Sequence, residues 1–162
     1  MIIDKFSPKK FEDSRGSNTL IFEDAKAGIC YKESYSKKNV FRGLHIQMPP
    51  NVQEKYISVS KGSVIDYILS LDSESEDYGQ LKQFEITPNE GFFKVPKHCA
   101  HGYLALEDSV FSYVCVGKYS EEDEKTILMK GDFYLDKIVS EKDSKGVSYA
   151  EAIEMFTKIN WK

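Results

Sequence analysis

The sequence is poor in cysteine and histidine, which narrows the chemistry it can support. Its three cysteines are Cys30, Cys99 and Cys115, and none forms a Cys-x-x-Cys pair. An odd number of scattered thiols argues against a disulfide framework and against a structural zinc site, and it favours a reducing compartment. Only three histidines are available as a general base or as metal ligands.

The chain also lacks a long apolar run and an excess of positive charge. No stretch approaches the roughly 20 apolar residues that a membrane-spanning helix needs, and the N-terminus lacks the basic and apolar segments of a signal peptide. Lysine and arginine number 22 against 26 acidic residues, and no basic stripe indicates nucleic acid. We expect a soluble cytoplasmic protein in which residues 1–162 form one domain.

Short segments rich in β-branched and aromatic residues dominate the chain, with turn residues between them. They predict strands over 18–23, 29–34, 55–60, 63–71, 81–87, 91–95, 102–107, 110–117 and 126–130. Such a series without intervening helices is typical of an antiparallel sandwich or barrel. The end of the chain differs, because Ser148 to Glu151 reads as a capping box before apolar residues at helical spacing. This pattern predicts one amphipathic helix that packs on a sheet.

The stretch from Arg42 to Lys55 carries three groups suited to a negatively charged substrate. Arg42 offers a permanent charge with a forked set of donors, and Lys55 offers a second cation. His45 has an unperturbed pKa close to neutrality and can exchange a proton. Because Pro49-Pro50 restricts the backbone between these groups, the stretch reads as strand, tight loop, strand.

Two other chemical interpretations arise from single residues. His45, His101 and Glu54 would supply the ligand types of a metal triad, but His45 has no second histidine two residues away on the same strand face. Cys115 offers a nucleophile, yet it lies in the middle of a predicted strand, where a buried inert thiol is commoner.

Seven short sequence motifs that together are typical of one family occur in the expected order between about residues 11 and 143. They are Asp13 to Gly16, Ser34 to His45, Gln53 to Lys55, Lys61 to Asp66, Val95-Pro96 with Ala100 to Leu104, Tyr113 with Tyr119, and Val139 to Asp143. In these blocks the chain resembles the dTDP-4-dehydrorhamnose 3,5-epimerases, which are metal-independent cupins. The resemblance implies a mostly β cupin jelly-roll barrel with a short C-terminal helix and no cofactor. It also implies a homodimer with exchanged N-terminal strands.

The same resemblance implies roles for individual residues. His45 looks like the general base, Asp143 like its carboxylate partner, and Tyr113 like the acid on the opposite face of the sugar ring. Lys55 looks like the group that polarises the 4-keto oxygen. Substrate binding falls on Arg15, Arg42, Gln47, His101 and Tyr119. Of these, Arg15 would reach the nucleotide diphosphate from the neighbouring subunit.

These residue types suit epimerisation beside a ketone. A 4-keto group acidifies the protons on C3 and C5, a preorganised cation stabilises the enolate, and a histidine oriented by a carboxylate removes the proton. We expect an epimerase that inverts C3 and C5 of a dTDP-hexose or GDP-heptose type of 4-keto-6-deoxy sugar, for surface polysaccharide. The alternatives are a C3-only epimerase, a non-catalytic cupin that binds a nucleotide sugar, and a metal-dependent cupin oxygenase.

The chain departs from the family pattern near the expected site. Arg15-Gly16 runs into Ser17-Asn18-Thr19-Leu20, where family members usually carry aromatics and a glutamate. Lys32 stands where many members carry asparagine. Because the family aromatic commonly packs on the nucleotide base, the sequence leaves the identity of the base open.

Overall fold

Two antiparallel sheets form the body of the protein. The structure is a computed structural model and describes residues 5–161. Its strands in this range are β1 (Lys9–Asp13), β2 (Gly16–Asp24), β3 (Ile29–Ser36), β4 (Phe41–Gln47), β5 (Glu54–Lys61), β6 (Val64–Ser70), β7 (Leu81–Ile86), β8 (Phe93–Val95), β9 (Cys99–Ala105), β10 (Ser109–Val116) and β11 (Glu124–Thr126). One sheet has the order β1-β2-β3-β10-β5-β8 and the other the order β11-β4-β9-β6-β7. The predicted mostly β jelly roll is confirmed.

The sequence pattern located most strands but was wrong at one edge of each sheet, at β11 and at β1. A strand over 126–130 is wrong beyond Thr126, because β11 ends there and Ile127 makes only an isolated bridge to Val147. The strand β1 escaped prediction because Lys9–Asp13 has no apolar alternation. All five of its residues are exposed, and it pairs with β2 alone.

Apolar side chains gather in two clusters. One includes Ile57 of β5 and Phe111 of β10 together with Tyr103 of β9, so it joins the two sheets. The rings of Tyr103 and Phe111 stack with their centroids 4.1 Å apart. The second cluster includes Leu69 of β6 and Phe156 near the C-terminus, so it joins the five-stranded sheet to the end of the chain. Burial of these faces from water supplies the main driving force for folding.

The predicted C-terminal helix is confirmed as α1 (Tyr149–Phe156). Ser148 is its N-cap: Oγ accepts from the backbone N of Glu151 at 3.2 Å, and Glu151 Oε2 accepts from the backbone N of Ser148 at 2.8 Å. Ala152 and Phe156 are its buried residues and belong to the cluster on the five-stranded sheet. No helix within residues 5–161 has the length and apolar character needed to cross a bilayer.

A close approach of β4 and β9 sets the register of the five-stranded sheet. Gly43 has φ +125, and a Cβ at this position would lie 2.5 Å from the Cα of Gly102. Only a residue without a side chain fits this contact and this backbone conformation comfortably. The pairing that results places His45 opposite His101.

Candidate active site

The two sheets enclose a cavity of about 330 Å³. Its walls come from β2, β3, β5 and β10 of one sheet and from β4 and β9 of the other, with β11 and residues 140–143 completing the lining. The volume is in the range of small-molecule pockets. Each residue predicted to act on a substrate can therefore be placed relative to this one cavity.

His45 and Asp143 form a close pair at the cavity wall. His45 lies on β4 and Asp143 in the turn before α1, 98 positions apart in the sequence. His45 Nε2 lies 2.6 Å from Asp143 Oδ1, and the Asp143 side chain is 1% exposed. A carboxylate beside Nε2 holds the proton on that nitrogen, which leaves Nδ1 to accept another.

Arg15 binds the second oxygen of the same carboxylate. Its Nη1 donates to Asp143 Oδ2 at 2.8 Å, while its Nη2 donates to Asp13 at 2.7 Å. Burial opposes the charge on Asp143, but the hydrogen bond and charge of His45, together with the charge of Arg15, outweigh it and lower the pKa of Asp143. The carboxylate is therefore ionised at neutral pH and can stabilise an imidazolium.

Tyr113 reaches the cavity from the opposite sheet, on β10. Its hydroxyl lies 3.1 Å from Nδ2 of Asn18. Burial raises the pKa of Tyr113 to about 12, helped by Cys115 and opposed by hydrogen bonds with Ser34 and Asn18. The phenol therefore keeps its proton at neutral pH and has one to give.

Lys55 lines the cavity from β5, directly across the ladder from Cys115 of β10. Burial lowers the pKa of Lys55, and negative charge on Cys115 and Glu124 would oppose part of this change. A desolvated ammonium forms strong hydrogen bonds to an oxygen that gains negative charge. Because β5 pairs with β10, which carries Tyr113, the Lys55 side chain lies on the strand next to the candidate acid.

Arg42 is anchored in the wall by its own polar contacts. Its Nε donates to Ser36 Oγ at 2.9 Å, and its Nη2 lies 3.4 Å from the carbonyl oxygens of Ser17 and Tyr35. Ser36 Oγ is in turn 2.9 Å from the hydroxyl of Tyr103. The guanidinium is thus buried in a fixed orientation at the cavity.

His101 also lines the cavity and has a carboxylate of its own. Its Nε2 lies 2.7 Å from Asp66 Oδ1, and the Asp66 side chain is fully buried. Burial raises the pKa of Asp66, while His101 and Lys55 act in the opposite direction. The other oxygen, Oδ2, has no hydrogen-bond partner within the described part of the chain.

The remaining two predicted binding residues differ in their placement. Tyr119 lines the cavity, and its hydroxyl donates to Glu124 Oε2 at 3.2 Å. Gln47 lies outside the cavity lining, because its Oε1 accepts a hydrogen bond from the backbone N of Ser120 at 2.9 Å. Gln47 therefore fixes the segment that carries Tyr119 instead of facing the cavity itself.

The rival chemistries find less support in the geometry. Glu54, the third member of the metal triad, points away and binds Lys94 Nζ at 2.8 Å. Within residues 5–161, no three or more His, Cys, Asp or Glu side chains are placed to share a metal ion. Cys115 is buried, and its contact with Cys30 together with burial raises the pKa of the Cys115 thiol. A thiol with a raised pKa is a poor nucleophile.

Several cavity residues, or partners of such residues, were given no role by the sequence pattern, and four of them carry charge or bind another candidate residue. These four are Asn18, Asp66, Glu124 and Lys142. Asp66 carried a readable signal, since a lone carboxylate within the apolar strand Val64–Ser70 has to find a buried partner. Lys142 and Glu124, which bind each other, had no such signal, because charged residues in a loop usually face solvent.

Comparison with known proteins places this cavity in context. The family model described as dTDP-4-dehydrorhamnose 3,5-epimerase matches residues 3–151. A protein of that name from Sinorhizobium fredii is 30% identical over 162 residues, covering 89% of this chain and 83% of the relative. Another from Shigella flexneri is 29% identical and covers 91% of each chain.

A solved structure agrees with the sequence comparison. The crystal structure of dTDP-4-dehydrorhamnose 3,5-epimerase from Elizabethkingia anophelis superposes with a TM-score of 0.70 at 29% identity, covering 89% of both chains. The likeness therefore extends over most of the fold as well as most of the sequence.

Proposed function

The chain belongs to the dTDP-4-dehydrorhamnose 3,5-epimerase family, whose members are isomerases, and from this premise we propose that it inverts C3 and C5 of a dTDP-linked 4-keto-6-deoxy sugar. The observation that carries the proposal is the meeting of His45, Tyr113 and Lys55 in one cavity. The family match over residues 3–151 includes all three.

In the first step, His45 removes the proton from the carbon beside the ketone. Nδ1 takes the proton, and the electron pair of the broken C–H bond moves toward the carbonyl to form an enolate. Asp143 stays ionised and hydrogen-bonds the imidazolium that results. A buried carboxylate in this position stabilises the charged ring and fixes its orientation.

The enolate oxygen then needs a positive partner. Lys55 is the half-buried cation that we place beside it, where partial exclusion of bulk water strengthens the interaction. His101, held by Asp66, lines the same cavity and offers its other ring nitrogen to the sugar. Together these groups lower the cost of forming the enolate.

In the last step, Tyr113 delivers a proton to the opposite face of the same carbon. His45 approaches from the five-stranded sheet and Tyr113 from the six-stranded sheet, so a ring bound between them meets the two groups on different faces. Proton loss on one face and gain on the other inverts the centre. His45 then releases its proton to solvent and Tyr113 regains one, after which the same sequence at the second acidic carbon completes the double inversion.

Positive side chains around the cavity suit the diphosphate of the substrate. Arg15, Lys32 and Lys142 all line it, and guanidinium and ammonium groups are the usual partners of phosphate oxygens. Arg42 adds a buried positive charge with a fixed orientation. We place the sugar within the cavity and the nucleotide toward these cations.

We also infer a homodimer formed through the N-terminal strand. All residues of β1 are exposed, and one edge of this strand is unpaired in the sheet order, so a second copy can add to it. In the single chain Arg15 lies in its own cavity, whereas exchange of β1 would carry it toward the partner. Mixing Arg15→Ala with His45→Asn protein tests this: restored activity assigns Arg15 to the partner's site.

Deuterium exchange tests the catalytic proposal directly. The protein is incubated in heavy water with the dTDP-linked 4-keto-6-deoxy sugar, and exchange and inversion at C3 and C5 are followed by NMR. We expect deuterium at both carbons and inversion at both. His45→Asn should abolish exchange at both carbons while nucleotide binding is retained, and Tyr113→Phe should spare exchange more than inversion.

The same assay separates the rivals. Deuterium at C3 alone would support a C3-only epimerase. Turnover only with a GDP-linked heptose would show that the substrate is this sugar instead of a dTDP-linked hexose. Binding of the nucleotide sugar without any exchange would indicate a non-catalytic binding protein. The cytoplasmic location and the supply of sugar to surface polysaccharide follow as inferences from the proposed substrate, and cell fractionation with a deletion strain addresses both.

A further inference from the structure

Asn18 contacts the candidate acid but belongs to a distant strand of the sheet. It lies on β2, and β3 separates this strand from β10, which carries Tyr113. Asn18 pairs with Ser34 of β3 in the ladder, so its side chain projects across that strand on the cavity side. There its Nδ2 lies 3.1 Å from the hydroxyl of Tyr113.

The direction of this hydrogen bond has a chemical consequence. A phenol has one proton to donate and lone pairs that accept. Because the Asn18 amide donates, it occupies a lone pair of Tyr113 and does not use up the proton. The O–H bond is thereby left free to point away from Asn18, and Ser34, the other hydrogen-bond partner of this hydroxyl, lines the same cavity.

We propose that Asn18 is a positioning residue for Tyr113: its amide directs the phenolic proton into the cavity and stabilises the phenolate left after that proton is delivered. The inference deepens the proposed epimerase function and rests on it. It gives a role to one residue of the stretch Ser17 to Leu20, where the chain departs from the pattern of the family that it resembles.

The electrostatics of the site agree with this role. Burial raises the pKa of Tyr113 to about 12, which makes it a weak acid, and the Asn18 hydrogen bond is one of the contacts that oppose the rise. A donor to the phenolic oxygen favours the ionised form over the neutral one. Loss of Asn18 would therefore weaken Tyr113 as an acid and free its hydroxyl to rotate.

Two substitutions distinguish donation from simple packing. Asn18→Ala removes the donor and leaves room for water, which can replace it in part. Asn18→Asp keeps nearly the same shape but presents a carboxylate that only accepts, so Tyr113 would donate to it and turn its proton out of the cavity. Thr19→Ala is the matched control, because Thr19 is the next residue on β2 and does not line the cavity.

The main measurement is the ratio of net inversion to deuterium exchange in heavy water. We expect Asn18→Ala to lower this ratio about 10-fold and Asn18→Asp on the order of 100-fold, within the contribution typical of a general acid. Exchange by His45, KM and nucleotide affinity should change little, and Thr19→Ala should behave like the unsubstituted chain. Inversion by Asn18→Asp at the unsubstituted rate would overturn the proposal.

A measurement without substrate keeps this inference separate from the proposed function. The ring carbon that bears the Tyr113 hydroxyl is observed by NMR in protein with ¹³C-labelled tyrosine, and its signal is assigned by its loss in Tyr113→Phe. We expect this signal to shift in both Asn18 variants and not in Thr19→Ala. A signal that does not shift in either Asn18 variant would contradict the contact between Asn18 and Tyr113. A signal that shifts in a protein without epimerase activity would contradict only the proposed reaction.

Discussion

His45 and His101 are direct register partners on β4 and β9, yet each imidazole is bound to a different buried carboxylate. His45 Nε2 lies 2.6 Å from Asp143, and His101 Nε2 lies 2.7 Å from Asp66. Two adjacent imidazoles with separate partners can take different parts in one reaction. The proposed function uses this difference: proton abstraction is given to His45, whose ring is partly exposed in the cavity, and substrate positioning to the more buried His101.

This register depends on the contact between two glycines, which a single methyl group would disturb. A Cβ at Gly43 would lie 2.5 Å from the Cα of Gly102, against backbone that cannot rotate away. We expect Gly43→Ala to lower the free energy of unfolding by about 3 kcal/mol and to reduce activity, because overpacking and a positive φ act together. Urea unfolding and the exchange assay measure the two effects.

Gly91→Ala separates steric overlap from backbone strain. Gly91 also has a positive φ, +87, but no atom lies within 4 Å of its missing Cβ. We expect a loss of about 1 kcal/mol and full activity, since only the backbone term remains. Equal losses from the two substitutions would contradict the role assigned to the glycine contact.

The pairing of His45 with Asp143 leads to a second prediction. Asp143→Asn should reduce the exchange rate at both carbons by about 10²- to 10⁴-fold, because a neutral amide neither fixes the tautomer nor stabilises the imidazolium. Rates by NMR in heavy water and binding by calorimetry are the measurements. Glu141→Gln, an exposed neighbour in the same turn, serves as the control. A variant of Asp143 with normal exchange would remove it from the catalytic pair.

The sequence predicted the sheets better than it predicted the contacts across them. Period-2 alternation located β5 because one face of that strand is buried, whereas β1 has no buried face to produce a pattern. Ile127 and Met129 alternate and are buried, yet they form no ladder, since burial comes here from packing under the C-terminal segment. A burial pattern alone does not reveal whether a neighbouring strand is present.

The candidate site shows the same limit. The residue types of His45 and Tyr113 drew attention because their chemistry is specific, and the resemblance supplied their roles. The contact of Asn18 with Tyr113 spans 95 positions and crosses an intervening strand, so no local pattern could have indicated it. Gln47 lay two residues beyond a matching block, and its Oε1 accepts a hydrogen bond from the backbone N of Ser120.

The capping box of α1 gives a stability prediction that should leave catalysis unchanged. Ser148→Ala removes the acceptor of the Glu151 backbone N–H and should lower the free energy of unfolding by about 1 kcal/mol. Ser148→Thr keeps a hydroxyl at the N-cap and should restore most of the loss. Urea denaturation checks both variants. An activity loss in Ser148→Ala without a stability loss would mean that the helix contributes to the site itself.

The lowered pKa of Lys55 leads to a prediction about alkaline pH. In the proposed mechanism Lys55 stabilises the enolate only while it is protonated, and burial places its pKa below that of an ordinary lysine, which is about 10.4. Activity should therefore fall, as pH rises, earlier than an exposed lysine would require. Arginine stays charged to higher pH, so Lys55→Arg should move the alkaline limb of the log kcat/KM profile to higher pH. It should also lower the maximum of the profile, because the larger guanidinium fits the cavity less well.

Lys61→Arg is the matched control for that pH profile. Lys61 ends the same strand and is exposed, so its replacement should leave both the limb and the maximum in place. Lys55→Met should abolish the reaction across the whole pH range, since no cation then faces the enolate. An alkaline limb that stays fixed in Lys55→Arg would assign the titration to another group, and substantial turnover by Lys55→Met would remove Lys55 from oxyanion stabilisation.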